Sequence, residues 1–456
     1  TSGARNIFLG MYSGACTAIT GGGNIGLGEE TGRNLEAGEC NVFIGHKAGA
    51  QATTIEDSVF VGTEAGEKRQ SGNFNVAIGN LALKGSNTDT ENTGAMNVAI
   101  GCFAGRSVEA GANNVLLGTA AGCKITDGTL NIAIGSMAGC SVTVCGENVF
   151  VGAYAGKTTT GIANVFLGKD AGKTVTTGCY NIALGRDALG DGAGTTGNSN
   201  IAMGYSTGEK MTSGNNNFFA GYFAGGGVTT GAHNIYFGST AGKDNGVGDN
   251  NVFIGQNAGK SSGTAADNDA SENIAIGKDS GTALTDGDKN IFMGTGSATL
   301  LTTGHYNIMF GKSAGKCATT GCSNIFLGDE AGLGASSSGV TGHNNYGIGT
   351  GALSLLTSGC FNTAMGQKAG EKLSTGKYNI LFGRNAGCGL TTQLHNIVVG
   401  NDTLALNGGT HNIAMGYFAA RGGGTAADND ASYNVALGYY AGAALTDGDT
   451  NVLIGP

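Results

Sequence analysis

Hydrophobic residues recur along this chain in short clusters, each preceded by an asparagine and followed by a glycine. The repeat reads Asn, then Ile or Val, then two further apolar residues, then Gly; it begins at Asn6–Gly10 and ends at Asn451–Gly455. There are 26 repeats, and 17 of the 25 spacings between them are 17 residues long. A short fixed period is typical of stacked repeats that bury their apolar sides against one another. The sequence therefore predicts an all-β, single-chain β-solenoid (a β-roll) of about 26 coils, continuous over residues 1–456.

The apolar cluster of each repeat predicts a short β-strand. We number the repeat from its asparagine as position 1, so that position 2 is Ile or Val except at Phe218, Tyr346 and Thr363, while position 4 is apolar throughout. Side chains alternate between the two faces of a strand, and β-branched residues favour strands. Positions 2 and 4 are therefore expected to face the core of the coil, and position 3 to face outward.

Position 3 is nevertheless apolar or glycine in every repeat, and phenylalanine is frequent there, as in Phe8, Phe43 and Phe60. An outward stripe of this kind forms a larger apolar patch than soluble monomers normally expose. We expect identical stripes on neighbouring subunits to cover it, in a homotrimer or a filament. Other segments of the same coil are the alternative.

The asparagine at position 1, replaced once by Ser58, has two structural interpretations. As a turn residue it tolerates a left-handed backbone. As a member of a ladder it joins coil to coil through side-chain amide hydrogen bonds. We expect both roles together, and neither indicates catalysis.

Five long spacings predict loops that bulge from one edge of the solenoid, immediately before Asn97, Asn200, Asn273, Asn345 and Asn434. Insertions in solenoids lie in surface loops, often on a binding face. Two of these regions, residues 263–294 and 424–455, are nearly identical in sequence, which indicates an internal duplication.

The duplicated regions contain the candidate metal ligands. Stacking is expected to bring four carboxylates together in each copy, and like charges at short range repel unless a cation bridges them. Ca²⁺ accepts six to eight oxygen ligands from such loops. The alternative is a solvated acidic edge. The eight candidate ligands are Asp267, Asp269, Asp286, Asp288, Asp428, Asp430, Asp447 and Asp449.

Eleven cysteines permit disulfides in an oxidising compartment. Cys140 with Cys145, and Cys317 with Cys322, flank single turns, whereas Cys123 and Cys140 lie one period apart and are expected to stack at a distance compatible with a disulfide. Buried free thiols in a reducing compartment are the alternative.

Composition excludes several classes of function. The net charge of −9 argues against nucleic-acid binding, and no run of eighteen apolar residues predicts a membrane span. Five of the six histidines precede the strand asparagine by one or two residues, which is a turn preference, so we expect no enzyme. A hexapeptide-type acyltransferase and an ice-binding solenoid are remote alternatives, because the six-residue period is missing and the threonine rows are ragged.

Repeats such as Asn131–Gly139 and Asn97–Gly101 resemble the head repeats of trimeric autotransporter adhesins and the Gly- and Asn-rich repeats of phage tail fibres. The resemblance extends over the whole chain. It implies a β-roll trimer on a cell surface or a virion, acting as a rigid spacer that binds a cell-surface or polysaccharide receptor. A self-polymerising extracellular filament without a receptor is the alternative.

Overall fold

The computed structural model describes residues 4–15, 18–86, 92–263, 268–335, 339–405, 408–423 and 430–456. The chain divides into two compact units, residues 1–230 and 231–456. Within each unit the described residues form a parallel β-solenoid without α-helices. The predicted fold class is therefore confirmed.

Every strand has three residues and covers positions 2 to 4 of its repeat. In the first unit the strands are β1 Ile7–Leu9, β2 Ile25–Leu27, β3 Val42–Ile44, β4 Val59–Val61, β5 Val76–Ile78, β6 Val98–Ile100, β7 Val115–Leu117, β8 Ile132–Ile134, β9 Val149–Val151, β10 Val165–Leu167, β11 Ile182–Leu184, β12 Ile201–Met203 and β13 Phe218–Ala220. In the second unit they are β14 Ile235–Phe237, β15 Val252–Ile254, β16 Ile274–Ile276, β17 Ile291–Met293, β18 Ile308–Phe310, β19 Ile325–Leu327, β20 Tyr346–Ile348, β21 Thr363–Met365, β22 Ile380–Phe382, β23 Ile397–Val399, β24 Ile413–Met415, β25 Val435–Leu437 and β26 Val452–Ile454.

Successive strands within each unit pair in parallel and in register, so each position lies beside the same position of the next coil. Val42, Phe43 and Ile44, for example, pair with Val59, Phe60 and Val61. Neighbouring strands of a sheet are about 4.8 Å apart. Each coil position consequently forms a column of equivalent residues along its unit.

A buried asparagine ladder joins the coils, as predicted. Asn114 Oδ1 accepts hydrogen bonds from the backbone N–H of Asn131 at 3.0 Å and from its Nδ2 at 3.1 Å. Asn114 Nδ2 donates to Asn97 Oδ1 at 2.9 Å and, across its own coil, to the carbonyl of Gly128 at 2.9 Å. One side chain thus binds the coil before it, the coil after it and the far side of its own coil.

The expectation of a left-handed backbone at these asparagines was wrong. The left-handed residue is the one immediately before the asparagine, such as Leu130 with φ of 59° and Tyr180 with φ of 60°. The asparagine itself has to point into the coil for its amide to reach the neighbouring coils. The turn that delivers the chain to this position therefore falls one residue earlier.

The predicted assignment of strand faces was also wrong. Phe43, Phe60 and the other large residues at position 3 of the inner coils are fully buried, while Phe8 and Leu453 of the first and last coils are half-buried. Positions 2 and 4 are exposed or half-buried. The physical reason is side-chain alternation: a buried asparagine at position 1 places position 3 on the same inner side and sends positions 2 and 4 outward. A one-residue shift of register reverses every side chain of a strand.

The opposite wall of the coil is a second apolar column that the sequence reasoning missed. In most coils, alanine at position 8 and an aliphatic residue at position 12 face the position 3 side chain, as with Ala121 and Ile125 opposite Leu116, which are 0 to 1% exposed. Other buried members of the position 12 column are Leu35, Val108, Val142, Val175, Met211, Val228, Leu284, Leu301, Leu356, Leu373 and Leu390. The signal for this column was an apolar residue recurring seven positions after the position 5 glycine.

At two glycine positions of the repeat, a side chain would clash with its surroundings. At position 5, Gly135 has φ of 133°, and a Cβ there would lie 2.5 Å from the carbonyl oxygen of Gly152 in the next coil. At position 9, Gly66 has φ of 59°, and a Cβ would lie 2.5 Å from the ring of Phe60. Position 5 is glycine in every repeat, whereas Leu83 and Leu189 occupy position 9 in two coils whose position 3 is alanine.

One coil of the first unit has an arginine at position 12. Arg69 is fully buried, and its guanidinium donates to the carbonyl of Val108 at 3.2 Å and to the carbonyl of Gly94. Burial lowers the pKa of Arg69 to about 10, so the group remains charged at neutral pH. Backbone carbonyls of the following coils therefore solvate this cation inside the lumen.

The asparagine ladder is tested by replacing Asn114 with alanine. The change leaves buried donors of Asn131 and the carbonyl of Gly128 unsatisfied, and each buried polar group left without a partner costs about 1–3 kcal/mol. We expect a clearly lower midpoint of denaturant-induced unfolding. Asn114→Ser should lose less stability, since Ser58 of the natural ladder still accepts a hydrogen bond from the N–H of Asn75 at 3.1 Å.

The control is Asn80→Ala, which removes an exposed asparagine of the same unit. It should leave the midpoint nearly unchanged. Equal losses for Asn114→Ala and Asn80→Ala would contradict the ladder as a stabilising element.

The corrected strand faces are tested on two adjacent residues of β9. Phe150 is fully buried and stacks on Phe166 with ring centroids 5.4 Å apart, so Phe150→Ala is expected to destabilise by about 3–5 kcal/mol. Val149 is only half-buried, and Val149→Ala should cost less than about 1 kcal/mol. Chemical denaturation of both variants checks this ordering, and the reverse ordering would restore the original assignment of faces.

Candidate functional site

The outward side of the strands is an exposed apolar surface, which we name the aliphatic face and define as positions 2 and 4 of every strand. Ile235 and Phe237 of β14, for example, are 43% and 55% exposed, while Tyr236 between them is fully buried. Thr363 and Tyr346 are the polar members, and no charged residue occupies either position. Because the strands pair in register, the face consists of two parallel columns of aliphatic side chains in each unit.

This face arises from the same alternation that buries the asparagines. The inner side of each strand is filled by positions 1 and 3, and among the described residues positions 2 and 4 are left exposed or half-buried. The predicted apolar stripe therefore exists, but it is formed by positions 2 and 4 rather than by position 3. Its continuity exceeds that of the scattered apolar residues normal on a monomer surface.

A column of exposed rings occupies the last position before the asparagine in the second unit. We name it the aromatic column: Phe361, Tyr378, His395, His411 and Tyr433, in five consecutive repeats. Their successive ring centroids are 5.1, 5.0, 4.7 and 4.8 Å apart and nearly parallel. The sequence reasoning interpreted these histidines only as turn residues, and the signal it missed was that His, Tyr and Phe succeed one another at one coil position.

The first acidic edge consists of Asp269, Asp286 and Asp288, in the segments that precede β16 and β17. Asp269 and Asp286 occupy equivalent positions of consecutive coils. Asp288 Oδ1 accepts from the N–H of Ser271 at 2.8 Å, and the N–H of Asp288 donates to Nδ1 of His305 at 2.9 Å. The three aspartates thus lie along one edge of the second unit.

The second acidic edge repeats this arrangement in the duplicated region. Asp449 Oδ1 accepts from the N–H of Ser432 at 2.7 Å, and the Ser432 hydroxyl donates to the carbonyl of Asp430 at 3.0 Å. Asp447 lies at the coil position equivalent to Asp286. Both copies of the duplication therefore present the same hydrogen bonds to the carboxylates.

The carboxylates of the first acidic edge repel one another. Burial raises the pKa of Asp269 above its usual value, and the neighbouring charges of Asp286 and Asp288 raise it further. Within the described part of the chain, three of these carboxylates do not converge within 4.8 Å of one another. Asp267 and Asp428 lie outside the described residues, so the calcium site stays a prediction.

A different group of possible metal ligands occurs in the first unit. Side-chain atoms of Glu29, Glu30 and His46 lie within 4.8 Å of one another, on two consecutive coils. Glu30 also binds Arg33 through an ion pair of 2.7 Å, which already offsets part of its charge. Neither the insertions nor the duplication pointed to this group.

The ten cysteines among the described residues are free thiols. The predicted bridges across single turns are not formed, since Cys145 donates to the carbonyl of Thr160 and the sulfur of Cys322 accepts from the N–H of His305 at 3.4 Å. Both partners lie in neighbouring coils. Cys123 and Cys140 do stack as predicted, with their sulfurs 2.8 Å apart.

Three stretches, residues 204–208, 259–263 and 311–315, match the Gly-x-Ser-x-Gly pattern found in serine hydrolases. In the first and third, the glycines are positions 5 and 9 of the repeat, and the serine is the left-handed residue at position 7, Ser206 or Ser313. In the second, Gly259 is the position 9 glycine, and Ser261 is buried, as Ser206 is. All three matches therefore contain glycines that belong to the repeat itself.

No helix among the described residues has the length and hydropathy needed to cross a membrane. No protein-family model matches the chain, and no curated protein matches it.

The acidic edges are tested by adding and removing Ca²⁺. If a cation bridges the carboxylates, saturation at about 100 times the Kd stabilises the folded state by about 2.7 kcal/mol, and a chelator should accelerate proteolysis near Asp267 and Asp428. The double change Asp269→Asn and Asp286→Asn should weaken the response. Asp127→Asn is the control, because Asp127 occupies the same Thr-Asp-Gly turn without an acidic insertion beside it.

The effect should depend on pH in a defined direction. Because the pKa of Asp269 is raised in the folded state, its ionisation destabilises the apo protein as the pH rises through that pKa. Calcium stabilisation should consequently grow over the same acidic range, which thermal melts at several pH values can measure. If neither calcium nor chelator changes the proteolysis rate or the melting temperature, the prediction of a calcium site is wrong.

Proposed function

We propose that the protein is a structural fibre subunit, a spacer whose solenoid units associate with further copies of the same chain through the aliphatic face. The observation that carries this proposal is the exposed pair of aliphatic columns, without a charged residue, along the strands of each unit. A β-solenoid is compatible with a structural rod, and its ladders of backbone and asparagine hydrogen bonds favour stiffness.

The size of the face supports association. Thirteen strands with two outward positions each place 26 residues on the face of a single unit. A stable protein–protein interface of standard size involves about 20–30 residues on each side. Since apolar burial provides the main driving force for association, one unit offers enough surface for a specific interface.

Periodicity favours a second copy as the partner. Both columns repeat at the strand spacing of about 4.8 Å, and another copy presents the same spacing. Side chains of two such faces can interdigitate over their full length, as the inner faces of packed sheets do. A homotrimer and an open filament both satisfy this requirement.

The proposal includes an extracellular location, on a cell surface, in a secreted filament or on a virion, and it includes no catalysis. The resemblance to adhesin heads and tail-fibre repeats supports this location. The aromatic column supports the adhesin form of the proposal, because tyrosine and other rings with polar edges are enriched at binding surfaces. A filament without a receptor remains the alternative function.

The experiment that tests association is light scattering of the full chain at low micromolar concentration. We expect a species of three chains, which supports a fibre or adhesin shaft, or open polymers, which support a filament. The double change Ile235→Lys and Phe237→Lys adds charges to the aliphatic face. It should raise the protein concentration at which assembly occurs at least tenfold.

The control is Gln256→Lys, which adds one positive charge to an exposed turn of the same unit and should leave assembly unchanged. A wild-type protein that is monomeric at all concentrations would overturn the proposal.

A further inference from the structure

A pair of stacked cysteines lies within a column of cationic side chains in the first unit. Position 10 of five consecutive repeats is occupied by Arg106, Cys123, Cys140, Lys157 and Lys173. The two sulfurs are 2.8 Å apart, so that one thiol donates a hydrogen bond to the other. The parallel register of β7 and β8 holds the two residues at equivalent positions.

The distance between the coils suits a covalent bond. Adjacent strands in register are about 4.8 Å apart, and disulfides join residues whose Cα atoms are about 4.4–6.8 Å apart. The sulfurs already lie side by side, so closing the bond requires a change of side-chain torsion rather than of backbone. No other residue lies between them in the column.

The surroundings favour an anionic sulfur. The hydrogen bond from Cys123 lowers the pKa of Cys140 to about 6, with further lowering by the charges of Lys124 and Lys157. The same hydrogen bond, with burial, raises the pKa of Cys123. The pair therefore holds one proton between two sulfurs at neutral pH, and the proton can move so that either sulfur carries the charge.

Access to the pair is from one side. Cys123 lines a surface cavity of about 420 Å³ together with Phe103, Arg106 and Lys124, whereas Cys140, in the next coil, is buried and does not line it. The cavity thus offers an apolar wall and two cations beside the more exposed sulfur. These features suit a small anionic disulfide.

We propose that Cys123 and Cys140 form a redox-active dithiol that an anionic small-molecule disulfide, such as glutathione disulfide, converts into a disulfide between two successive coils. Transfer of the shared proton from Cys123 to Cys140 generates the Cys123 thiolate. This thiolate attacks one sulfur of the small disulfide and expels a thiolate, which takes the proton of Cys140. The Cys140 thiolate then attacks the Cys123 sulfur and expels the second small thiolate. The cysteine pair loses two electrons, and the small disulfide gains them.

Cys388 provides an internal comparison. It occupies the same position 10 in the second unit, but its neighbours in the column are Glu371 and Ala405. Burial and the charge of Glu371 raise the pKa of its thiol. Coil position alone therefore does not confer reactivity, and the neighbours in the column decide it.

The experiment treats the full chain with glutathione disulfide at pH 7, followed by alkylation of remaining thiols, intact mass measurement and peptide mapping. We expect two alkylatable thiols to disappear, with a linked Cys123–Cys140 peptide that a reductant separates. This measurement uses the wild-type protein, so it does not depend on whether a variant folds.

Variants test the order of the steps. Cys140→Ser should leave a persistent mixed disulfide on Cys123 and slow its formation at least tenfold near neutral pH, because the thiolate partner is gone. Cys388→Ser should change neither the rate nor the linked peptide. Thermal melting establishes that each variant is folded.

Two results would overturn the proposal. In the first, the oxidised protein keeps both Cys123 and Cys140 alkylatable. In the second, Cys140→Ser reacts as fast as the unmodified protein over the whole pH profile, which would reduce Cys140 to a packing residue.

Discussion

The buried asparagine ladder is the interaction on which the structure depends. An amide side chain inside a narrow lumen has to satisfy both its carbonyl and its NH₂ group, because a buried polar group without a partner is costly. Asn114, for example, does so by bonding the previous coil, the next coil and the opposite wall. The inner side of the strand and the position of the preceding turn both follow from that requirement.

The ladder also explains the surface. Asparagine at position 1 and a large apolar residue at position 3 share the inner side, so the β-branched residues at positions 2 and 4 are displaced outward. In most β-proteins such residues fill the core, and a second layer covers the sheet. Here each coil is too short to supply that layer. The exposed aliphatic face is therefore a direct consequence of the way the lumen is filled.

In-register stacking converts single residues into columns, and columns carry the chemistry of this protein. Rings repeated at one position form the aromatic column. Two cysteines between basic residues form a thiol pair with a shared proton. The aspartates at the equivalent positions 269 and 286 repel one another. Their properties depend on the residue one period away, about 17 positions along the chain. Neighbours in the sequence have less influence on these groups.

The sequence by itself determined the fold class, the repeat, the short strands, the asparagine ladder and the stacking of Cys123 with Cys140, because each follows from the repeated pattern. It did not determine which strand face is buried. Both faces are apolar in Val149–Val151, so hydrophobicity could not distinguish them, and only the position of the asparagine amide in the lumen decides the matter. Three further features became visible only in the tertiary structure. They are the second wall at position 12, the proximity of Glu29 and Glu30 to His46, and the burial of Arg69. These depend on how the turns of each coil bring distant positions together, and turn geometry is set by backbone torsions that residue type only partly restricts.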